Sequence, residues 1–293
     1  MTPWPMPANL AASLDDDPAP GRRAWVARLP SVVAQLSRRW SLRLGVPYQP
    51  GGRTAWVAPA TDSRHRRLVL KVGRPHPESA HEAAGLRTWG GEGAVVLHEA
   101  WADEATSALL LERCEPGAPL TRVAEAEQDV VIAGLLHRLW RRPADGHPFR
   151  RLRDMCAAWA DEFDAERDNG QACLDPGLSR TGIELFRTMP AEPVAPVLLC
   201  TDLHAGNVLA AQREPWLMID PKPYVGDRTY DVLQHMLNCT ARLATDPRGF
   251  ARRMADLAGL DAERLELWLF VRCVQESRND PALHPVARRL APS

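Results

Sequence analysis

From Leu198 to Pro223 the chain reads LLCTDLHAGNVLAAQREPWLMIDPKP, and this segment constrains the fold more than any other. Val197–Cys200, Val208–Ala211 and Trp216–Ile219 read as three short buried strands, with Gln212-Arg213-Glu214-Pro215 as the turn between the last two. Asp202 and Asn207 then fall in the loop before one strand, and Asp220 falls just past the end of another. Three polar side chains from separate backbone segments are thereby expected to converge. D-x4-N-x12-D is a polar set suited to phosphoryl transfer from MgATP: one carboxylate orients the attacking hydroxyl, while an amide oxygen and a second carboxylate offer a hard cation the ligands it prefers. Asp and Asn also populate turns and caps, so the spacing needs support from elsewhere in the chain.

Bulk properties remove other classes. The chain has 293 residues, is 45% hydrophobic and carries a net charge of −1, which describes a globular protein of about two lobes with ample core. No basic field is available for nucleic acid. Cys114, Cys156, Cys173, Cys200, Cys239 and Cys273 lie far apart with no C-x-x-C pair, so neither a zinc cluster nor a disulfide framework is expected, and reduced cytosolic thiols are the simple reading. The first twenty residues lack a basic and an apolar signal region, and no run of eighteen apolar residues occurs. A cytoplasmic protein without a membrane anchor is expected.

Lysine usage points the same way. Of 36 basic residues only Lys71 and Lys222 are lysine. An ammonium is a compact point charge and a guanidinium a wide planar fork, so a tight site beside phosphate oxygens accepts one and excludes the other. Lys71 lies in the β-branched and leucine-rich run Arg67–Val72, which reads as a strand. Lys222 follows Asp220 by two residues, where it would hold a phosphate oxygen, pin Asp220 or simply lie on the surface.

The N-terminal half supplies further parts in order. Ser41–Val46 and Thr54–Ala60 read as strands around a turn holding Gly51 and Gly52, whose backbone would let phosphates approach or would serve as a plain hairpin. No G-x-G-x-x-G and no Gly-Lys-Ser/Thr occurs, which argues against dinucleotide-binding and P-loop folds. A helix is expected from Pro77 to Trp89, stopped by Gly90-Gly91. Glu82, Leu86 and Trp89 share one face. Glu82 then points inward and needs a partner, for which Lys71 is the natural choice.

Val95–Glu99 and Ala108–Leu111 read as two more strands, and Glu112 to Gly117 then breaks the pattern. Five strands and one helix, followed by mostly helical sequence (124–141, 152–168, 229–243 and 262–277), describe a small β-rich lobe hinged to a larger helical one. The expected organisation is a flexible segment over 1–20, a nucleotide-binding lobe over 21–113 and a lobe with the catalytic loop, metal and substrate over 114–293. Asp231, near the start of the third of these helices, reads as structural and favoured by the helix dipole.

GRRAWVARLP, GLRTWGGEGAVVL, LLLERCEPG and TDLHAGNVLAAQREPWLMIDPKPYVGD together resemble the aminoglycoside and hydroxyurea phosphotransferase family, most closely its streptomycin-phosphorylating members. The resemblance implies an α+β, protein-kinase-like two-lobed fold. It also implies Asp202 as the catalytic aspartate, Asn207 and Asp220 as metal ligands, Lys71 as the phosphate-binding lysine with Glu82 as its ion-pair partner, and Glu112 and Cys114 as hinge residues whose backbone meets adenine. A His usually stands two residues before the catalytic Asp in such proteins, and here Cys200 takes that place, while His204 supplies a D-x-H pattern. ATP and Mg²⁺ are the implied cofactors. The implied partner is a cationic small molecule, with no nucleic acid or membrane and a monomer or weak dimer as the assembly.

A cationic acceptor of streptomycin type would need carboxylates around its guanidinium groups. Asp161, Glu162 and Asp164 on one helix, with Glu276 and Asp280 near the C-terminus, are the candidates. Hydroxyurea, another hydroxylated metabolite or a different natural-product antibiotic remain alternatives, as does a nucleotide-binding pseudokinase scaffold.

Overall fold

The computed structural model describes residues 5–16, 20–168, 174–191 and 195–292. The chain divides into two compact units, Met1–Gly117 with Ala211–Arg213, and Ala118–Ala210 with Glu214–Ser293.

The first unit begins with helices α1 (Ala8–Asp16) and α2 (Pro20–Arg39). It continues with β1 (Arg43–Leu44), β2 (Ala55–Thr61), β3 (Arg67–Gly73), α3 (Glu82–Trp89), β4 (Leu97–Ala102) and β5 (Ser107–Glu112). The strands pair antiparallel in the order β1-β2-β3-β5-β4. Alternation along β3 buries Leu68, Leu70 and Val72 in one cluster with Leu29, Val33 and Leu36 of α2. Each such side chain contributes about 1.5–3 kcal/mol when fully buried, so α2 is part of the sheet's core. Lys71 takes the other parity, in register with Val57 on β2 and Leu109 on β5.

Two expectations for this unit need correction. Three helices stand where one was expected, because Trp25, Leu29, Val32, Val33 and Leu36 repeat at helical spacing on a helix that carries Pro30 inside it. The helix expected over Pro77–Trp89 is a 3₁₀ turn, Pro77–Ser79, followed by α3. Gly90 closes α3 at φ 59°, donating its N–H to the Leu86 carbonyl.

The second unit holds α4 (Glu125–Leu139), β6 (Arg150–Arg151), α5 (Leu152–Asp168), α6 (Pro176–Thr188), β7 (Val197–Leu199), β8 (Val208–Ala210), β9 (Trp216–Met218) and β10 (Tyr224–Gly226). The helices α7 (Leu233–Asn238), α8 (Thr240–Thr245), α9 (Pro247–Ala258), α10 (Ala262–Glu276) and α11 (His284–Leu290) follow. β6, β10 and β7 form one small sheet, and β8 and β9 an antiparallel hairpin. α6 and α10 pack closely enough that a Cβ on Gly182 would stand 2.7 Å from the Val274 side chain. Phe186 and Tyr230 meet Trp268 edge to face at 6.4 and 5.2 Å. The single helix expected over 229–243 is instead a 3₁₀ turn, Arg228–Val232, and the two short helices α7 and α8.

Among the described residues no helix is long and apolar enough to cross a membrane. Five cysteines, Cys114, Cys156, Cys200, Cys239 and Cys273, are free thiols, and Cys173 lies outside the described residues.

Candidate active site

The segment that leaves β7 is held from below by one buried carboxylate. Asp231, fully buried, accepts the Thr201 N–H at 2.6 Å and the Cys200 N–H at 3.1 Å, together with the Cys200 thiol at 3.3 Å and the Trp140 indole N–H at 3.1 Å. Burial pushes this carboxyl's pKa up, and the four donors pull against that shift. The expectation that Asp231 acts through a helix dipole is therefore corrected: it lies in the 3₁₀ turn and acts by direct hydrogen bonds. Thr201 has φ 46°, a strained backbone for a β-branched residue. Its hydroxyl donates to the Lys222 carbonyl at 2.6 Å, which fixes the strained turn in place.

Asp202 follows at once. Its Oδ2 lies 2.9 Å from the Lys222 Nζ and 3.4 Å from the Asn207 Nδ2, which also donates to the Asp202 carbonyl at 3.0 Å. No hydrogen bond among the described residues reaches Oδ1. With its amide nitrogen committed to Asp202, Asn207 has its amide oxygen as the side chain's remaining acceptor, a group that could bind a hard cation. The Ile219 N–H donates to the Asn207 carbonyl at 2.9 Å, which ties Asn207 to the residue preceding Asp220. Asp220 has φ 53° and turns the chain sharply at the end of the hairpin.

His204 caps the short 3₁₀ turn Ala205–Asn207 by accepting the Gly206 N–H on Nδ1 at 3.1 Å. Burial holds its pKa below the ordinary 6.5, with Asp202 pulling the other way, so the ring serves as a neutral cap.

In the first unit, Lys71 pairs with Glu82 through both carboxylate oxygens, at 2.7 and 2.8 Å. Glu82 is only 4% exposed, as its inward-facing position in the sequence required. Glu112, at the end of β5, accepts the Val96 N–H and the Arg213 guanidinium with its side chain, and donates its own N–H to the Val96 carbonyl. Burial pushes the Cys114 thiol up to about 12, with the Glu112 charge adding to the shift, so it stays protonated. Gly51 has φ 72° and its carbonyl accepts from Asn9, while the space beside Gly52 is open. This turn closes on residues 7–9.

The acidic residues suggested for the acceptor are scattered in their engagements. Asp161 and Asp164 on α5 pair with Arg187 of α6 at 2.6 and 2.8 Å. Glu276 pairs with Arg272 at 2.8 Å, and Asp280 caps the turn that follows by accepting the Ala282 N–H. Glu162 is exposed, and its backbone carbonyl accepts from Arg278.

Three groups escaped the sequence reading. Lys222 was assigned to a phosphate, to Asp220 or to the surface, and its ion pair with Asp202 was not foreseen. Arg213 was assigned only to a turn; it belongs to the first unit, where it also donates to the Gly91 and Ala94 carbonyls. Asp129 of α4, fully buried, receives His235, Arg242 and Arg253. Its place three and seven residues before Ile132 and Leu136 marks it as a carboxylate on an apolar face, the same signal that identified Glu82.

Comparisons with known proteins agree over most of the chain. A family model described as "Aminoglycoside/hydroxyurea antibiotic resistance kinase" matches residues 39–279. A streptomycin 6-kinase of Streptomyces griseus is 34% identical over 279 residues, covering 93% of this chain and 89% of its own. A hydroxyurea phosphotransferase of Kitasatospora aureofaciens is 36% identical over 260 residues, covering 86% of this chain and 73% of its own. The solved structure of the choline kinase LicA from Streptococcus pneumoniae matches with a TM-score of 0.62 at 11% identity, over 90% of this chain and 97% of that one. The fold is protein-kinase-like and α+β.

Proposed function

Because the chain belongs to the aminoglycoside/hydroxyurea antibiotic resistance kinase family, we propose that it moves the γ-phosphate of ATP to a hydroxyl of a small antibiotic, an aminoglycoside of streptomycin type. The observation that carries this reading is the Asp202 carboxylate, held through Oδ2 beside Lys222 and Asn207 with no hydrogen bond on Oδ1 among the described residues. An acceptor hydroxyl would donate to Oδ1, and Asp202 would orient it and take its proton as the bond to the γ-phosphorus forms. The bond from that phosphorus to the β–γ bridging oxygen breaks, and its electron pair leaves with ADP. A base in this role is worth about 10²–10⁴ in rate, or about 3–5 kcal/mol of barrier.

The Asn207 amide oxygen and the Asp220 carboxylate suit Mg²⁺, which takes one or two protein ligands and completes its shell with water and phosphate oxygens. Bound there, Mg²⁺ would neutralise phosphate charge, the larger part of the task in this chemistry. Lys71 would hold the α- and β-phosphates, with Glu82 keeping its ammonium in place. The backbone at Glu112 and Cys114 would meet adenine, and the turn at Gly51 and Gly52 would border the phosphates. Glu162 and the carboxylates paired with arginine, Asp161, Asp164 and Glu276, would exchange those partners for acceptor cations, with Asp280 nearby in sequence.

Hydroxyurea is the second acceptor to consider, because the hydroxyurea phosphotransferase is 36% identical to this chain, against 34% for the streptomycin kinase, over a shorter stretch. The test is Mg²⁺-dependent ATP consumption with streptomycin, other aminoglycosides and hydroxyurea in parallel. Turnover with streptomycin is expected. Nucleotide binding without turnover on any acceptor would favour a scaffold and refute the enzyme reading.

A further inference from the structure

We propose that Lys222 is a second cationic group of the phosphoryl-transfer site, holding Asp202 through one oxygen and meeting the phosphoryl group in flight. The inference rests on the reading of Asp202 as the acceptor's base. Three observations carry it.

The first is the ion pair itself, with the ammonium 2.9 Å from Oδ2. A charge in contact with the base is within a few ångström of whatever that base activates. The second is the backbone. The Lys222 N–H donates to the Cys200 carbonyl at 2.9 Å, and its carbonyl accepts the Thr201 hydroxyl at 2.6 Å. Both backbone groups of Lys222 are thus spent on the two residues that precede Asp202, so the lysine and the aspartate move as one piece. Asp231 fixes the same two residues from the other side. The third is composition. The chain uses lysine at only two of its 36 basic positions, and the other, Lys71, is bound to Glu82. A guanidinium would present a planar fork too wide for a position that must touch Asp202 and leave room for a phosphoryl group, whereas an ammonium acts as a point charge.

In the transfer step Lys222 neither gains nor loses a proton. The acceptor oxygen bonds to the γ-phosphorus, the hydroxyl proton passes to Oδ1 of Asp202, and the leaving electron pair stays on ADP. Lys222 keeps Asp202 turned by its other oxygen and stabilises the charge that spreads over the transferred oxygens.

With two lysines in the chain, lysine-specific ¹³C/¹⁵N labelling gives two side-chain signals, and Lys222→Arg assigns them. Asp202→Asn is expected to shift the Lys222 signal and leave that of Lys71 in place. MgADP with aluminium fluoride, a mimic of the phosphoryl group in flight, should shift the Lys222 signal in the wild type. A Lys222 signal unmoved by both would overturn the proposal, whatever the acceptor proves to be.

The kinetic arm uses Lys222→Met. It should lower kcat about 10²-fold or more while ATP affinity and acceptor KM stay within about threefold, and Lys222→Arg should recover less than about a tenth of the lost rate. Turnover by Lys222→Met near the wild-type value, with Asp202→Asn inactive, would remove Lys222 from the role and leave the enzyme reading standing. Failure of the wild type itself to turn over any acceptor would count against the enzyme reading, and the labelled spectra would still decide the lysine.

Discussion

At the scale of single residues, each of the two lysines meets a carboxylate within its own unit: Lys71 meets Glu82 in the first and Lys222 meets Asp202 in the second. Lys71 and Glu82 were legible as a pair because the strand alternates with period two and the helix repeats near 3.6, so two positions in sequence define two faces that meet. Lys222 and Asp202 were not, because their meeting depends on how the chain turns at Asp220, whose left-handed backbone no local pattern announces. The pairing of Lys71 gives a direct test. Glu82→Gln replaces a carboxylate with a neutral amide, so Lys71 loses its buried counter-charge. ATP KM is expected to rise about tenfold with acceptor KM unchanged. Steady-state kinetics with each substrate varied separately will show this, and an unaltered ATP KM would separate Glu82 from nucleotide binding.

At the scale of elements, the segment Cys200-Thr201-Asp202 is held in a strained shape by the turn that carries Asp231. That carboxylate stiffens the loop directly, since the Cys200 thiol and two backbone N–H groups all converge on it. Asp231→Ala strands those donors in the interior and should cost about 2–4 kcal/mol of stability. It should also lower kcat more than it lowers ATP affinity, because the strained Thr201 loses its anchor. Urea unfolding together with turnover measures both, and full activity at unchanged stability would contradict the bracing role. The short strands around Asp202, Asn207 and Asp220 were readable because apolar runs bounded by turn residues are local signals. The helix α2 was not, because Pro30 masks a clear apolar repeat that only the packed sheet makes worthwhile. The break between α7 and α8 falls at Cys239, whose backbone leaves the helical region at ψ 57°.

At the scale of the whole molecule, stability and chemistry make separate demands on charge. Asp129 knits α4, α7, α8 and α9 together through His235, Arg242 and Arg253. Burial raises its pKa, but the hydrogen bonds from those three partners outweigh burial and hold it well below the ordinary 3.8. A carboxylate with a depressed folded-state pKa stabilises the protein above its unfolded value and loses that contribution as pH falls. Unfolding free energy should therefore decline as pH drops below about 4, and Asp129→Asn should flatten that decline while costing about 3 kcal/mol at neutral pH. Denaturant unfolding across the acid range checks both, and an unchanged slope in the variant would dissociate Asp129 from acid stability. The proposed transfer of phosphate from ATP to an antibiotic hydroxyl, with Asp202 as the base, has one direct test. The most direct measurement is the rate of phosphate transfer to streptomycin by wild type and Asp202→Asn, with MgATP binding followed in the same samples. Wild-type transfer, a loss of about 10²–10⁴-fold in the variant and nearly equal MgATP binding are predicted. Equal transfer rates in the two proteins would remove Asp202 from that role.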